Sequence, residues 1–313
     1  MTIVDAHTLA ITEHPDPSPG AGEVLVRVHA AGLNGADLLQ ARGLYPAPPG
    51  SPADIPGLEF AGEVVAAGPG ATRFAIGDRV MGVVGGGGQA EFVCVHERVM
   101  VPVPPGVDRG EAGGFPEAFT TAHDALFTQA GLRMGERVLI HGAAGGVGVA
   151  AVQLARLAGA TVVATVRSAG RRPGVRALGA TIVCAPDEFS AHGPFDVVLE
   201  LVGAPNLAGN LAALAQLGRI VVIGVGAGSR AEIDLLALMG KRARVMGSTL
   251  RSRSLEDKAA CARLVEAQVL PALAAGTIRV PVAARYALED AVAAYARFAA
   301  GDKFGKVILE MGG

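Results

Sequence analysis

The feature that most constrains the fold is the run VLIHGAAGGVGVAAVQLARLAGATVVATVR, from Val138 to Arg167. An apolar strand, a glycine-rich turn, an alanine- and leucine-rich helix and a second apolar strand follow one another within it. Together they have the length of about 30 residues that is typical of a βαβ unit that binds a dinucleotide. The sequence therefore predicts an α/β domain with a nucleotide cofactor.

The turn reads AAGGVG, with an alanine where the GxGxxG pattern has its first glycine. A glycine-rich turn alone is often no more than a tight turn, but here the strands and the helix stand at the expected spacing. Gly145 would let the backbone approach a pyrophosphate, and Gly148 would let the helix pack closely on the strand. The N–H groups at the start of the helix would bind the phosphates. The expected cofactor contacts in this turn are Ala143, Ala144, Gly145, Gly146, Val147 and Gly148.

The end of the second strand indicates which dinucleotide binds. NAD enzymes usually have an acid there for the ribose hydroxyls, but no Asp or Glu occurs between Thr161 and Pro186. The chain instead reads VRSAGRRPGVR, which is either the solvated start of a basic helix or a site for the 2′-phosphate of NADPH. Two charge-assisted hydrogen bonds of roughly 1.5–3 kcal/mol each would favour NADPH about a hundredfold or more. We predict NADPH, with contacts from Arg167, Ser168, Arg171 and Arg172.

The rest of the chain divides into two kinds of pattern. The first hundred or so residues are rich in glycine and proline and carry short apolar runs, which predict a β-rich domain. Six apolar runs then alternate with helical stretches, which predicts an α/β fold with a doubly wound parallel sheet. These runs are residues 137–141, 161–166, 181–184, 195–201, 219–224 and 243–247.

Composition excludes several classes of partner. The net charge is −2 and aromatic residues make up 4% of the chain, so attraction to nucleic acid or to an anionic membrane is not expected. Cys94, Cys184 and Cys261 are widely spaced, which argues against a disulfide framework and against a structural zinc site. No signal peptide or run of about 18 apolar residues is evident. We expect a cytoplasmic protein that acts on a small molecule.

Several segments resemble the zinc-free, zeta-crystallin-like NADPH:quinone oxidoreductases of the medium-chain dehydrogenase/reductase superfamily. They are AAGLNGADLLQARGLYPAPPG, PGLEFAGEVVAAGPG, GDRVMGVVGGGGQAEFV, HGAAGGVGVAAVQLA, STLRSRS and FGKVIL. The resemblance implies a GroES-like β-barrel catalytic domain, residues 1–118 and 253–313, with an inserted Rossmann domain, residues 119–252. It also implies homodimers or homotetramers, and the short N-terminus looks as if it lacks the family's usual first strand.

The resemblance also bears on metal binding. In the zinc alcohol dehydrogenases of the same superfamily, a His precedes the glutamate of the PGLEFAG segment and a Cys lies in the AAG segment upstream. Here those positions are Leu58 and Asn34, which are unsuited to a zinc ion. We therefore expect no metal, and we expect Glu59 to bond to the backbone or to polar neighbours, with a role in orienting substrate or water left open.

The remaining site residues are implied by the same resemblance. Tyr45 would face the substrate as a hydrogen-bond or proton donor, and Asn34 would bond a carbonyl; the alternatives are a buried loop anchor and a turn-stabilising amide. Lys306 has a surface lysine as its alternative, and Thr121 has a helical threonine that bonds its own backbone. The further expected cofactor contacts are Thr121, Gly224, Val225, Arg251, Phe304, Gly305 and Lys306.

These inferences predict an NADPH-dependent enzyme that transfers hydride to a quinone without a metal. Without a Lewis acid, acceptors that delocalise the incoming charge are favoured. The alternative within enzymes is reduction of the carbon–carbon double bond of an enone or enoyl thioester. A remote alternative is a non-catalytic NADPH-binding protein, crystallin-like or RNA-binding.

Overall fold

A computed structural model describes residues 1–5 and 8–312 of the chain. The chain divides into two compact units. The first combines Met1–Thr120 with Leu250–Gly313, and the second is Thr121–Thr249. The expected domain boundaries followed residues 118 and 252.

The first unit is built around a seven-stranded sheet. The described residues of this unit form the strands β1 Thr2–Asp5, β2 Thr8–Ala10, β3 Glu23–Gly32, β4 Glu59–Ala67, β5 Arg79–Val83, β6 Phe92–His96, β7 Met100–Pro102, β14 Val282–Ala287 and β15 Lys306–Glu310. The sheet order is β14-β15-β3-β4-β5-β7, with β6 also paired to β3. Every pairing is antiparallel except that of β14 with β15.

Alternation along β3 explains the core of this unit. Val24, Val26 and Val28 are buried, whereas the residues between them are partly or fully exposed. Successive side chains of a strand point to opposite faces, so this period of two places the valines on one face. They pack there with Phe60 and Met100 in one apolar cluster.

The N-terminal segment differs from the sequence-based expectation. Instead of lacking a first strand, it forms β1 and β2, which pair antiparallel with Thr2 opposite Ala10. Within the described part of the chain, these two strands form a sheet of their own.

Helices of 5 to 14 residues complete the first unit. They are α1 Gly35–Ala41, α2 Arg109–Gly114, α8 Leu255–Gln268, α9 Leu270–Ala274 and α10 Ala291–Ala299. The Ser254 hydroxyl accepts from the Asp257 N–H and caps the start of α8. Pro271 follows the end of α8 and lies in the first turn of α9, where its missing N–H is tolerated.

The second unit contains the predicted six-stranded parallel sheet. Its strands are β8 Arg137–Ile140, β9 Thr161–Thr165, β10 Ile182–Cys184, β11 Phe195–Glu200, β12 Leu214–Val222 and β13 Arg244–Gly247. All five pairings are parallel, in the order β10-β9-β8-β11-β12-β13. This is the doubly wound order of a dinucleotide-binding fold, with a topological switch between β8 and β11.

The helices of the second unit connect these strands. They are α4 Gly146–Leu157, α5 Arg172–Ala177, α6 Leu207–Ala212 and α7 Leu235–Lys241, while α3 Pro116–His123 crosses the unit boundary and continues as a π-helix, Asp124–Gln129. The predicted α/β fold class, a parallel doubly wound sheet inserted into a β-rich unit, is confirmed. Among the described residues, no helix is long and apolar enough to span a membrane.

Candidate functional site

Glu59 lies at the centre of a buried polar network in the first unit. Its Oε1 atom lies 2.5 Å from Lys306 Nζ and accepts from Asn34 Nδ2 at 2.9 Å. Its Oε2 atom accepts from the backbone N–H of Glu117 at 2.9 Å. Glu59 is 0% exposed and Lys306 2% exposed. A buried carboxylate is tolerated only with such partners, so the acid of the PGLEFAG segment pairs with an internal ammonium group.

Lys306 uses its ammonium group entirely within this network. Besides Glu59, its Nζ donates to Leu33 O at 3.0 Å and to Asn34 Oδ1 at 2.7 Å. These three bonds match the three donors of an ammonium group. A Cβ atom at Gly32 would lie 2.8 Å from Lys306 Cε, so glycine there leaves space for the lysine. The predicted contact between Lys306 and the cofactor would require one of the three bonds to be exchanged.

Asn34 connects this ion pair to helix α1. Its side-chain amide donates to Glu59 and Gly32 O and accepts from Lys306. Because the ammonium must face the amide oxygen and the carboxylate the amide NH₂, the ion pair fixes the orientation of the amide. Asn34 also caps α1, and Asp37 completes a capping box by accepting from the Asn34 backbone N–H at 2.8 Å. The predicted bond from Asn34 to a substrate carbonyl would compete with these contacts.

Asp37 connects the network to the buried side chains of Gln89 and Tyr295. It is 1% exposed and accepts from Gly57 N and from Gln89 Nε2, each at 3.3 Å. Gln89 in turn accepts from the buried Tyr295 hydroxyl at 2.8 Å. Burial raises the pKa of Asp37 to about 7, with the negative charge of Glu59 adding to the increase.

Tyr45 lies in the loop that follows α1. Its side chain is half-buried, and Arg251 donates to its carbonyl oxygen at 2.8 Å. The Arg251 guanidinium carbon lies 5.1 Å from the centre of the Tyr45 ring. Burial raises the pKa of the Tyr45 hydroxyl, while the charge of Arg251 acts to lower it. The hydroxyl has no hydrogen-bond partner among the described residues, so it remains available to another molecule.

The FGKVIL segment has a structural requirement of its own. Gly305 is buried and has a φ of +86°, which disfavours any residue with a Cβ. The N–H of the following Lys306 donates to Pro281 O at 2.8 Å. Phe304 is half-buried. The turn at Gly305 therefore places Lys306 at the start of β15, and any contact of Phe304 or Gly305 with the cofactor stays a prediction.

The donor set does not fit a zinc ion. Leu58 is buried and offers no ligand atom, Asn34 is fully hydrogen-bonded, and Glu59 is neutralised by Lys306. Within residues 1–5 and 8–312, no group of three or more His, Cys, Asp or Glu side chains could hold a metal ion. Zinc sites need three or four such ligands.

The glycine turn in the second unit connects β8 to α4. A Cβ atom at Gly148 would lie 2.5 Å from Gly142 O and 2.6 Å from Ala143 Cα, so this position requires glycine for close packing. A Cβ atom at Gly145 would meet Gly142 O only at 3.5 Å, and its φ of −77° suits any residue. The chain alone therefore does not require glycine at position 145, and its predicted approach to a cofactor phosphate stays a prediction.

The turn offers backbone groups to such a phosphate. Ala143 is buried, whereas Ala144, Gly145, Gly146 and Val147 are partly exposed. The first N–H groups of an α-helix have no acceptor within the helix and carry its positive dipole end. Because α4 begins at Gly146, its first N–H groups belong to the partly exposed part of the turn.

The basic segment follows β9 directly. Arg167 is exposed, Ser168 is partly exposed and precedes a 3₁₀ turn, and Arg171 is partly exposed. Arg172 donates from Nε to Val166 O at 3.2 Å, which holds its side chain against the strand end. The sequence thus places a cationic and hydroxyl-bearing segment where an acid stands in NAD enzymes.

Three further predicted contacts lie in this unit. Gly224 follows β12, and a Cβ atom there would lie 2.8 Å from the carbonyl carbon of Leu201, so the two strand ends approach closely. Val225 is exposed and Thr121 is buried in α3. Their contacts with the cofactor stay predictions.

Sequence analysis missed a buried cluster beneath the switch point. His141 Nε2 lies 2.7 Å from Asn210 Oδ1, and Asn210 Nδ2 donates to Glu200 Oε2 at 2.7 Å. Glu200 Oε1 accepts from the backbone N–H groups of Val202 and Gly203. Burial lowers the pKa of His141, although the charge of Glu200 opposes this. The available signal was a single polar residue at the carboxyl end of two apolar strands, His141 after β8 and Glu200 at the end of β11. Ligands bind at that edge of the sheet in doubly wound folds.

Comparison with known proteins identifies both units. The alcohol dehydrogenase GroES-like domain family matches residues 20–105, and the zinc-binding dehydrogenase family matches residues 146–266. The chain is 33% identical to a quinone oxidoreductase of Rattus norvegicus over 306 residues, which cover 94% of this chain and 90% of that protein. It is 50% identical to an erythronolide synthase of Saccharopolyspora erythraea over 159 residues, which cover 51% of this chain but only 4% of the synthase.

Solved structures are similar over nearly the whole chain. A mycobacterial protein in complex with NADPH has a TM-score of 0.84 and 27% identity, covering 96% of this chain and 94% of that one. The CurK enoyl reductase has a TM-score of 0.83 and 27% identity, with the same coverage of 96% and 94%. The chain therefore belongs to the medium-chain dehydrogenase/reductase superfamily of oxidoreductases, which includes the quinone oxidoreductases that it resembles.

Proposed function

We propose that the protein is an NADPH-dependent oxidoreductase that transfers hydride to a quinone without a metal ion. The observation that carries this proposal is the buried ion pair between Glu59 and Lys306, at 2.5 Å. Glu59 directly follows Leu58 in the sequence, and Asn34 bonds to both members of the pair. By resemblance, positions 58 and 34 correspond to zinc ligands in the alcohol dehydrogenases of the superfamily. The Lys306 ammonium group thus neutralises the Glu59 carboxylate, which makes the carboxylate a poor metal ligand.

This arrangement favours particular acceptors. Reduction of an isolated ketone develops alkoxide charge, which a Lewis acid stabilises by several kcal/mol. Quinones and α,β-unsaturated carbonyls spread the incoming charge over their own conjugated system. An enzyme that relies on positioning in a dry cleft is therefore better matched to such acceptors.

The second unit would hold the cofactor. The backbone of the Ala143–Gly148 turn and the N-terminus of α4 would bind the pyrophosphate, and Arg167, Ser168 and Arg171 the 2′-phosphate. The nicotinamide of NADPH supplies the hydride. The exposed Arg167 and the lack of an acid after β9 support NADPH over NADH, as does the similarity to a protein solved with NADPH.

Reduction of an enone or enoyl thioester is a second candidate. The similarities to the CurK enoyl reductase and to a polyketide synthase favour it. The Tyr45 hydroxyl, which lies in a half-buried loop beside Arg251, would then donate a hydrogen bond or a proton to the developing enolate.

A comparison of acceptors tests these proposals. NADPH consumption would be measured with 1,4-benzoquinone and with methyl vinyl ketone, and NADPH formation from NADP⁺ with a primary alcohol, for the wild type and Tyr45→Phe. The quinone reductase proposal predicts turnover of benzoquinone that Tyr45→Phe barely changes. A large loss with the enone but not with the quinone would favour the enone reductase, and the absence of turnover with both would contradict both.

The proposed assembly is a homodimer. Leu235, Leu236 and Met239 of α7 are 62%, 77% and 70% exposed, although they are large and apolar. The neighbouring edge strand β13 has a row of backbone groups without a further strand beside it among the described residues. Exposed apolar patches and unpaired edges are typical of interaction surfaces. Cys94, Cys184 and Cys261 form no disulfide within the described part of the chain, which favours a reducing compartment such as the cytoplasm.

A further inference from the structure

Arg251 is a buried cation that joins three segments of the first unit. It is 3% exposed. Its Nε donates to Gly85 O at 2.8 Å, its Nη1 to Tyr45 O at 2.8 Å and its Nη2 to Gln40 Oε1 at 2.6 Å. Each nitrogen of the guanidinium group therefore has an acceptor within the unit.

These contacts converge on the loop that carries Tyr45. Gln40 lies in the last turn of α1, and its own Nε2 donates to Ala53 O at 3.1 Å, on the far side of that loop. The guanidinium plane also lies near the Tyr45 ring, with 5.1 Å between its central carbon and the ring centre. Arg251 thus holds the start of the loop, its backbone at Tyr45 and the Tyr45 ring at the same time.

Lysine could not reproduce this geometry. The planar fork of arginine directs donors to several acceptors and stacks on aromatic rings, whereas an ammonium group is a compact point charge. The Tyr45 loop contains Pro46, Pro48 and Pro49, which have no N–H with which to anchor it. The Leu44 N–H anchors the start of the loop by donating to Leu39 O at 2.8 Å. The bond from Arg251 to the Tyr45 carbonyl, with the guanidinium beside the ring, adds a second constraint on where the ring points.

We propose that Arg251 is a positioning residue that sets the direction of the Tyr45 hydroxyl toward the acceptor. This inference rests on the second candidate function, enone reduction, in which the Tyr45 hydroxyl donates to the developing enolate. It differs from the sequence-based prediction that Arg251 contacts the cofactor. The Arg251 guanidinium group makes three hydrogen bonds within the unit and is almost fully buried. It is therefore poorly placed to bind a phosphate of the cofactor. Its effect would be on the acceptor step, through Tyr45.

A double-mutant cycle tests the proposal. The variants are Arg251→Met, Tyr45→Phe and the double variant, with Arg251→Lys as the conservative change. Arg263→Met is the matched control, because Arg263 also donates to a backbone carbonyl of this unit, Met100 O, without contacting the Tyr45 loop. The measurements are kcat and KM for methyl vinyl ketone and benzoquinone, the Kd of NADPH by fluorescence, and hydrogen exchange of the Arg42–Leu44 amides.

The proposal predicts that Arg251→Met lowers kcat/KM for the enone about tenfold or more, but less than about twofold in the Tyr45→Phe background. The Kd of NADPH stays within about twofold, and Arg251→Lys recovers only part of the loss. Exchange of the loop amides rises in Arg251→Met and not in Arg263→Met.

Two results would overturn it. A large increase in the Kd of NADPH would show that Arg251 binds the cofactor, and equal losses with and without the Tyr45 hydroxyl would show that its role is structural only. If neither acceptor is reduced, the proposed function fails, and the exchange data decide the positioning role: unchanged loop exchange in Arg251→Met would contradict it.

Discussion

Lys306 Nζ and Glu59 Oε1 form a buried ion pair at 2.5 Å, and Asn34 bonds to both partners. Removing one member of such a pair leaves an uncompensated buried charge, which costs about 3–5 kcal/mol. We expect Lys306→Met to lower the free energy of unfolding by this amount, measured by urea titration, and the double variant Lys306→Met/Glu59→Gln to lower it less.

A surface pair provides the control for this prediction. Arg98 and Glu256 form an exposed ion pair in the same unit, so Arg98→Met should have only a small effect. A loss in Lys306→Met no larger than that of the surface variant would contradict the role of the buried pair.

Asp37 should make stability depend on pH. Its pKa is raised from 3.8 to about 7 in the folded state, chiefly by burial. A raised pKa means that the native state binds the proton more tightly than the unfolded state. The stabilisation is therefore fully present below about pH 4 and is lost as the pH rises through about 7, by a few kcal/mol in total.

Comparison with Asp37→Asn isolates this contribution. Urea unfolding of both proteins from pH 4.5 to 8.5 should show that the difference in the free energy of unfolding, wild type minus variant, falls as the pH rises to about 7 and levels off above that pH. A difference that stays constant or rises with pH would contradict the raised pKa.

Two glycines of the nucleotide turn should respond differently to the same substitution. A methyl group at Gly148 would collide with Gly142 O and Ala143 Cα, whereas one at Gly145 meets only ordinary contacts. We expect Gly148→Ala to lower the Tm, and Gly145→Ala to keep the wild-type Tm but raise the Kd of NADPH about tenfold or more. Tight NADPH binding by a stable Gly145→Ala protein would contradict the proposed phosphate site.

The choice between NADPH and NADH should depend on Arg167. We expect Arg167→Ala to lower kcat/KM for NADPH about tenfold, because a charge-assisted bond to the 2′-phosphate contributes roughly 1.5–3 kcal/mol. The value for NADH, which lacks that phosphate, should not change. Arg176→Ala, which removes an exposed arginine farther along α5, is the control. Comparable kcat/KM values for the two cofactors in the wild type would argue against the preference itself.

The exposed apolar face of α7 should control assembly. We expect the wild type to sediment as a dimer, and Leu236→Glu/Met239→Glu to sediment as a folded monomer, because two charges at the interface would be desolvated. Analytical ultracentrifugation checks the mass and circular dichroism the fold. A monomeric wild type, or a variant that remains dimeric, would contradict this interface.

Local patterns were sufficient to predict the fold of the second unit. The alternation of apolar strands with helices and the spacing of the glycine turn depend on residues close in sequence, and the six observed strands fall at the predicted apolar runs. Likewise, the sequence alone showed that position 58 carries a leucine, which cannot bind a metal ion.

Long-range pairing explains what the sequence did not reveal. Lys306 and Glu59 are 247 positions apart, and Arg251 and Gln40 are 211 positions apart. No periodicity connects such residues, so the sequence suggested cofactor contacts for Lys306 and Arg251, whereas in the structure their donors are bound to neighbouring oxygen atoms. His141 and Glu200 escaped notice for a similar reason, because each appears as a single polar residue at the end of an apolar strand.

The central claim is hydride transfer from NADPH without a metal. The most direct measurement is kcat/KM for benzoquinone with NADPH, determined before and after prolonged treatment with a strong chelator, alongside alcohol oxidation under both conditions. The account predicts quinone reduction at the same rate in both states and no significant alcohol oxidation. Alcohol oxidation that the chelator abolishes and zinc restores would contradict it.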